Sequence, residues 1–158
     1  MKKLIIYLDT SVVGGCFDEE FREDSLQLLR LIKLGVYTAI ISTTTEEELS
    51  RAPEHVRAVL EEFDDEELIR VPSTSEVAAL GAAYMAAKVV PANSKEDAAH
   101  IAFATVYEAD VLVSWNFKHI VNIKRIKDFN AVNLHEGYGM LDIRSPKELI
   151  YGKEEEGI

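Results

Sequence analysis

Leu4-Ile5-Ile6-Tyr7-Leu8 is an unbroken apolar run that stops on Asp9, and two hydroxyl residues, Thr10 and Ser11, follow at once. A strand with one wet face alternates apolar and polar residues. This run does not alternate, so it predicts a strand buried on both faces, the habit of parallel sheets in α/β proteins. In such sheets ligands sit outside the carboxyl ends of the strands, and Asp9 stands at that place. Polar groups that the rest of the chain delivers to the same edge would share a site with it.

Strand and helix signals alternate along the chain. Val12 to Gly15 predicts a turn. Leucines at three- and four-residue steps from Ser25 to Ile32 predict a helix, stopped by Gly35. Tyr37 to Ser42 is short and β-branched, a second strand. Thr43-Thr44-Thr45 followed by Glu46, Glu47 and Glu48 opens a helix with acids in its first turn. Pro53 permits a further helix to about Phe63, and Leu68 to Val71 predicts a third strand. Ser73 opens an alanine-rich helix to about Lys88. Ser94 caps the next, Lys95 to about Glu108, which is small or apolar on nearly every side and so should lie centrally. Asp110 to Trp115 predicts a fourth strand ending at Asn116, a basic helix follows over His119 to Phe129, and a short strand fits Leu141 to Ile143. The alternation argues a parallel sheet with helices on both faces. One domain over residues 1–150 and a frayed tail over 151–158 are expected.

Composition narrows the class. A chain of 158 residues, 47% hydrophobic, can bury a core without staples. The single cysteine, Cys16, excludes an internal disulfide and fits a reducing, cytoplasmic setting. Lys2-Lys3 ahead of an apolar run has the outline of a signal peptide, but Asp9 ends the run too early for a leader or a membrane span. The net charge of −11 argues against a simple nucleic-acid binder. Yet Asn116 to Lys127 holds Lys118, Lys124, Arg125, Lys127 and one histidine with no acid, a local basic stretch. It reads either as a solvated face or as a contact for an RNA backbone.

Four polar groups are able to share one edge: Asp9 and Asn116 at strand ends, Glu48 just past the second strand, and Asp97 opening the central helix. Three carboxylates held close repel one another and raise one another's pKa, and a divalent cation removes the conflict. Hard oxygen ligands suit Mg²⁺ or Mn²⁺, and the matching chemistry is metal-assisted phosphodiester hydrolysis. Each acid also has a plain structural reading. Asp9 can N-cap the next turn. Glu48 follows Thr45, and Asp97 follows Ser94, at the capping-box spacing that also links Ser73 to Glu76. His100, one turn beyond Asp97, reads as a hydrogen-bonded core histidine, and Trp115 as packing rather than a stacking platform. Periodicity does not separate Glu46 and Glu47 from Glu48.

Taken together, Leu8-Asp9-Thr10-Ser11-Val12, Ile41-Ser42 with Glu48-Leu49, Asp97-Ala98-Ala99-His100-Ile101-Ala102, and Ala109 to Asn116 resemble the successive motifs of the PIN domain family, nearest to its VapC-like toxin group. The resemblance spans about Leu4 to Ile143. It implies a three-layer α/β/α fold with a central, mainly parallel sheet, and a Mg²⁺- or Mn²⁺-dependent endoribonuclease. The family's acids map onto Asp9, Glu48 and Asp97 as metal-holding residues, and its small hydroxyl onto Ser11 or Thr10. Ser114, Lys118, Lys124 and Arg125 are the substrate-side candidates. Where many members carry a further acid, this chain has Asn116, whose carbonyl can still ligate a hard cation or hold a metal-bound water but brings no negative charge, which implies weaker metal binding or one well-occupied ion rather than two. The resemblance further implies an RNA substrate, a small antitoxin partner and a homodimer; no membrane association is expected, because no apolar run approaches the length of a spanning helix. The alternative is a PIN-fold module that binds RNA or protein without cleaving. A nucleotide-binding role for Gly14-Gly15 lacks any glycine-rich phosphate motif.

Overall fold

The computed structural model describes the backbone of residues 2–155 and side chains to residue 150. Five strands, β1 (Leu4–Leu8), β2 (Tyr37–Ser42), β3 (Leu68–Val71), β4 (Val111–Val113) and β5 (Asp142–Arg144), form one sheet in the order β3-β2-β1-β4-β5. Every neighbouring pair is parallel, with Tyr7 opposite Ile40 and Leu8 opposite Val113. The helices are α1 (Thr10–Gly15), α2 (Arg22–Lys33), α3 (Thr43–Ser50), α4 (Glu54–Arg57), α5 (Ser75–Ala86), α6 (Lys95–Val106), α7 (Ile123–His135) and α8 (Pro146–Glu155).

The reading of β1 as doubly buried is borne out over Ile6 to Leu8, whose successive residues go to opposite cores, while Leu4 at the entering end is exposed. Ile6 and Leu8 join the cluster packed by α2 and α8, whereas Tyr7 joins the one packed by α5, α6 and α7. The result is three layers, α/β/α. Because β2 lies on one side of β1 and β4 on the other, the chain order reverses at β1. The crevice at that reversal is where an open α/β sheet receives ligands.

Two segments differ from the sequence expectation. Thr10 to Gly15 is a short helix rather than a turn: the Asp9 side chain accepts from the Ser11 N–H and starts it. Two glycines in six residues hid that helix from a propensity reading. Gly15 is there for close approach, since a Cβ would lie 2.6 Å from Ser25 Oγ and 2.8 Å from Trp115 Nε1. Those two atoms are themselves hydrogen-bonded at 2.8 Å, and Phe21 stacks on the indole at 4.2 Å. Trp115 is thus packing, as read. The second difference is α8, which carries the chain back against α2. The Tyr37 hydroxyl donates to the Leu149 carbonyl at 2.7 Å, and Leu149 and Ile150 are buried. The tail expected from residue 151 falls on residues whose side chains lie outside those described, and 156–158 lie outside altogether.

Among the described residues no helix is long and apolar enough to cross a membrane. The crowding at Gly15 makes a test of the packing. Gly15→Ala should lower stability by about 1–3 kcal/mol, read as a lower urea midpoint at unchanged slope.

Candidate active site at the carboxyl edge of the sheet

Asp9 leaves the end of β1 and is only 4% exposed. Its Oδ1 accepts from the Ser11 backbone N–H at 3.1 Å and from Ser11 Oγ at 2.5 Å, and its Oδ2 accepts from Ser114 Oγ at 2.7 Å. The two hydroxyls are held in turn: Ser11 Oγ accepts from the Trp115 N–H at 2.8 Å, and Ser114 Oγ from the Asn116 N–H at 2.9 Å. The ends of β1 and β4 are stitched together through this one carboxylate. Burial pushes its pKa up and the charge of Glu48 adds to that, against the opposing pull of His100 and the two serine hydroxyls.

The capping-box reading of Glu48 and Asp97 does not hold in space. Helix α3 is capped by Ser42, whose partner in the reciprocal box is Thr45, so Glu48 is left to do something else. Glu46 and Glu47 are exposed while Glu48 is half-buried, the separation that periodicity could not make. Glu48 Oε1 accepts from Thr10 Oγ1 at 2.9 Å and lies 2.5 Å from His100 Nε2. Helix α6 starts at Ser94 with no side-chain cap bond, and α5 is capped by Thr74 rather than Ser73. Asp97 faces the β4 side, with Asn116 Nδ2 donating to its Oδ1 at 3.2 Å and His119 Nδ1 3.1 Å from its Oδ2.

Asn116 is the junction of that side. Its Oδ1 accepts from the His119 N–H at 2.9 Å, which leaves its amide nitrogen toward Asp97. A bonded path therefore runs from Asp9 through Ser114 and Asn116 to Asp97, and a second ties Thr10 to Glu48. Asp9, Glu48, Asp97, Asn116, Ser11, Thr10 and Ser114 gather at one edge. The basic candidates do not form one group with them. Lys118 is exposed two residues beyond Asn116. Lys124 pairs with Asp128 across one helical turn at 3.2 Å, and the Arg125 guanidinium donates to the Val89 carbonyl.

His100 and His119 are the site neighbours that sequence reasoning passed over. His100 is indeed a hydrogen-bonded buried histidine, but its bonds lead into the site. Its Nδ1 lies 2.7 Å from Tyr7 Oη, which lies 2.7 Å from Ser42 Oγ. Burial alone would lower the His100 pKa. The Tyr7 hydroxyl, the hydrogen bond to Glu48 and the charges of Asp9 and Glu48 overcome it and raise the pKa to about 10. Burial alone would raise that of Glu48, but the bond and charge of His100 and the Thr10 hydroxyl hold it below its usual range. The available signal was a tyrosine inside an aliphatic strand and a histidine inside an apolar helix.

Among the described residues no three His, Cys, Asp or Glu side chains converge closely enough to hold a metal ion as a group. The donors are nonetheless of the kind a hard cation takes, and the negative charge of Glu48 disfavours ionisation of Asp9. Mg²⁺ commonly keeps several waters and uses only one or two carboxylates, so the donor set fits such an ion without a three-acid cage.

This is an α/β/α domain of PIN-like fold, with its acids at the sheet reversal. Two solved complexes share the architecture. A chain of VapBC2 from Rickettsia felis, determined bound to a DNA fragment from its promoter, superposes with a TM-score of 0.59 at 18% identity, over 90% of this chain and 98% of that one. A chain of FitAcB from Neisseria gonorrhoeae gives 0.57 at 16% identity, over 89% and 97%. At these identities the likeness is one of fold. No protein-family model matches the sequence, and no curated protein sequence matches it.

The His100–Glu48 pair gives a pH test. An imidazolium stabilised on folding contributes fully below the ordinary value of 6.5 and is lost as pH rises toward about 10. Glu48, held low, contributes above its ordinary 4.5 and is lost on acidification. The melting temperature should fall as pH is raised above neutrality, and fall less steeply in His100→Gln. Equal slopes in the two proteins would contradict the pairing.

Proposed function

We propose that the protein is a divalent-metal-dependent endoribonuclease of the PIN type, acting as the toxin of a toxin–antitoxin pair. The observation that carries the reading is the buried Asp9 carboxylate at the sheet reversal, with Glu48 and Asp97 reaching the same edge from two helices. Asp9, Glu48 and Asp97 would hold Mg²⁺ or Mn²⁺, directly or through waters. Such an ion supplies an activated water at neutral pH and offsets the charge of a phosphodiester.

The chain's own residues do the rest. Ser11 and Ser114 keep the Asp9 carboxylate in one orientation by bonding both of its oxygens. Thr10 fixes Glu48, and the Asn116 amide fixes Asp97. Lys118, exposed beside Asn116, would meet a flanking phosphate, and Lys127 adds positive charge on α7, where Lys124 is paired with Asp128. Arg125 has its guanidinium engaged at Val89 and contributes less. The likeness to VapBC2 and FitAcB, both solved as complexes, supports a small protein partner. A homodimer and a cytoplasmic location belong to the same reading.

A second reading, a PIN-fold module that binds without cleaving, is favoured by Asn116: its carbonyl is occupied by the His119 N–H and its amide is a donor to Asp97. Two measurements separate the readings. Purified protein incubated with a panel of RNAs should cleave in Mg²⁺ or Mn²⁺, stop in EDTA, and lose cleavage in both Asp9→Asn and Asp97→Asn. Intact RNA together with no Mn²⁺ uptake at millimolar metal would favour the binding module. Cleavage unchanged in both variants would remove these acids from the site.

A further inference from the structure

Two buried polar networks cross the α5–α7 side of the sheet, and they end differently. In the first, the Tyr84 hydroxyl donates to Asn133 Oδ1 and lies 3.4 Å from Thr105 Oγ1. Asn133 Nδ2 donates to Asn130 Oδ1 at 3.3 Å. Asn130 then closes on the main chain, accepting from the Leu141 N–H at 2.7 Å and donating to the Leu141 carbonyl at 3.0 Å. Every member is buried and every bond ends inside the protein. That network joins α5, α6 and α7 to the segment entering β5, and structure accounts for all of it.

The second begins the same way. Ser42 Oγ at the end of β2, Tyr7 Oη on β1 and the His100 ring on α6 are buried, at 0%, 0% and 2% exposure. At its Ser42 end it closes on the main chain, where Ser42 Oγ accepts from the Thr45 N–H at 3.4 Å, but its other end does not. Its last bond, His100 Nε2 to Glu48 Oε1 at 2.5 Å, delivers the network to a carboxylate that is 23% exposed at the site edge. A core histidine that served packing alone would have no call to reach a half-exposed acid on another helix. Nor is the ring free to choose. A partner at each nitrogen fixes its rotation, and the edge-on contact with the Tyr7 ring, centroids 5.6 Å apart, holds its plane.

We infer that His100 is a positioning residue for Glu48, and that Tyr7 and Ser42 serve the site by fixing the His100 ring; this rests on the metal-site reading above. A glutamate side chain has three rotatable bonds, and leaving it ordered at a wet edge costs entropy. His100 and Thr10 both bind the same oxygen, Oε1. The carboxylate is thereby pinned through Oε1, and Oε2 takes no part in either of these bonds. Groups of this kind, one bond removed from a metal, typically change metal affinity by about 10–100-fold when removed.

The test is titration calorimetry with MnCl₂ on the full chain, together with melting curves. Tyr7→Phe deletes one hydroxyl and keeps the ring. It should weaken Mn²⁺ binding roughly tenfold. His100→Ala should weaken it at least as much, and His100→Gln, whose amide nitrogen can stand in for Nε2, should recover part of the loss. Tyr84→Phe is the control from the other network: it should lower the melting temperature and leave Mn²⁺ affinity alone. If His100→Ala does not fold, Tyr7→Phe and His100→Gln carry the comparison. Equal Mn²⁺ affinity in the native chain, Tyr7→Phe and His100→Gln would overturn the positioning role. So would a loss in Tyr84→Phe as large as in Tyr7→Phe. A native chain that takes up no Mn²⁺ would overturn the metal-site reading and this inference with it.

Discussion

A carboxylate almost cut off from water must be held by donors from its own chain, and the architecture around Asp9 follows from that requirement. Leaving such a group without partners costs several kcal/mol. Here the donors come from two places, the first turn of α1 and the end of β4. They can do so only because β1 and β4 are parallel neighbours that finish at the same edge. Sheet order, the short helix after β1 and the Ser114–Trp115–Asn116 turn are thus parts of one solution to one electrostatic problem. The close packing of Gly15 against Trp115 holds that turn where its N–H groups meet the two serines.

The elements most visible in the sequence were those whose burial pattern is decided locally. The aliphatic run of β1, the small and apolar α6, and the β-branched β2 each have an environment that their own residues specify. The parallel sheet with helices on both sides followed from their alternation. Helix α1 was hidden because its stability comes from the Asp9 cap and from tertiary contact, which override two glycines. Helix α8 was hidden because what orders it lies far away in sequence, on Tyr37 and α2.

At the site, residue types were legible and their partners were not. Glu48 and Asp97 sit at capping-box spacing in the sequence, and only the competition from Ser42–Thr45 and the absence of a cap bond at Ser94 release them from that role. His100 and Asp97 share a face of α6 by spacing, yet they serve opposite sides of the site, Glu48 on α3 and the Asn116 turn after β4. Periodicity gives the face of a helix, but not which of several polar groups across the gap will be met. The basic stretch shows the same limit: four cations close in sequence have different surroundings, and Arg125 is spent on the main chain of the α5–α6 loop.

Asn116 does two jobs that an acid could not both perform. Its carbonyl takes the His119 N–H, which an aspartate would still do, but its amide also donates to Asp97. Asparagine and aspartate codons differ by a single base, so the exchange is always within reach of mutation. In this protein it would turn an attraction at Asp97 into a repulsion between two half-buried carboxylates, unless extra positive charge arrived with it. With the amide at 116, this edge carries one negative charge fewer than aspartate would bring, and Asp97 keeps a donor where it would meet a like charge.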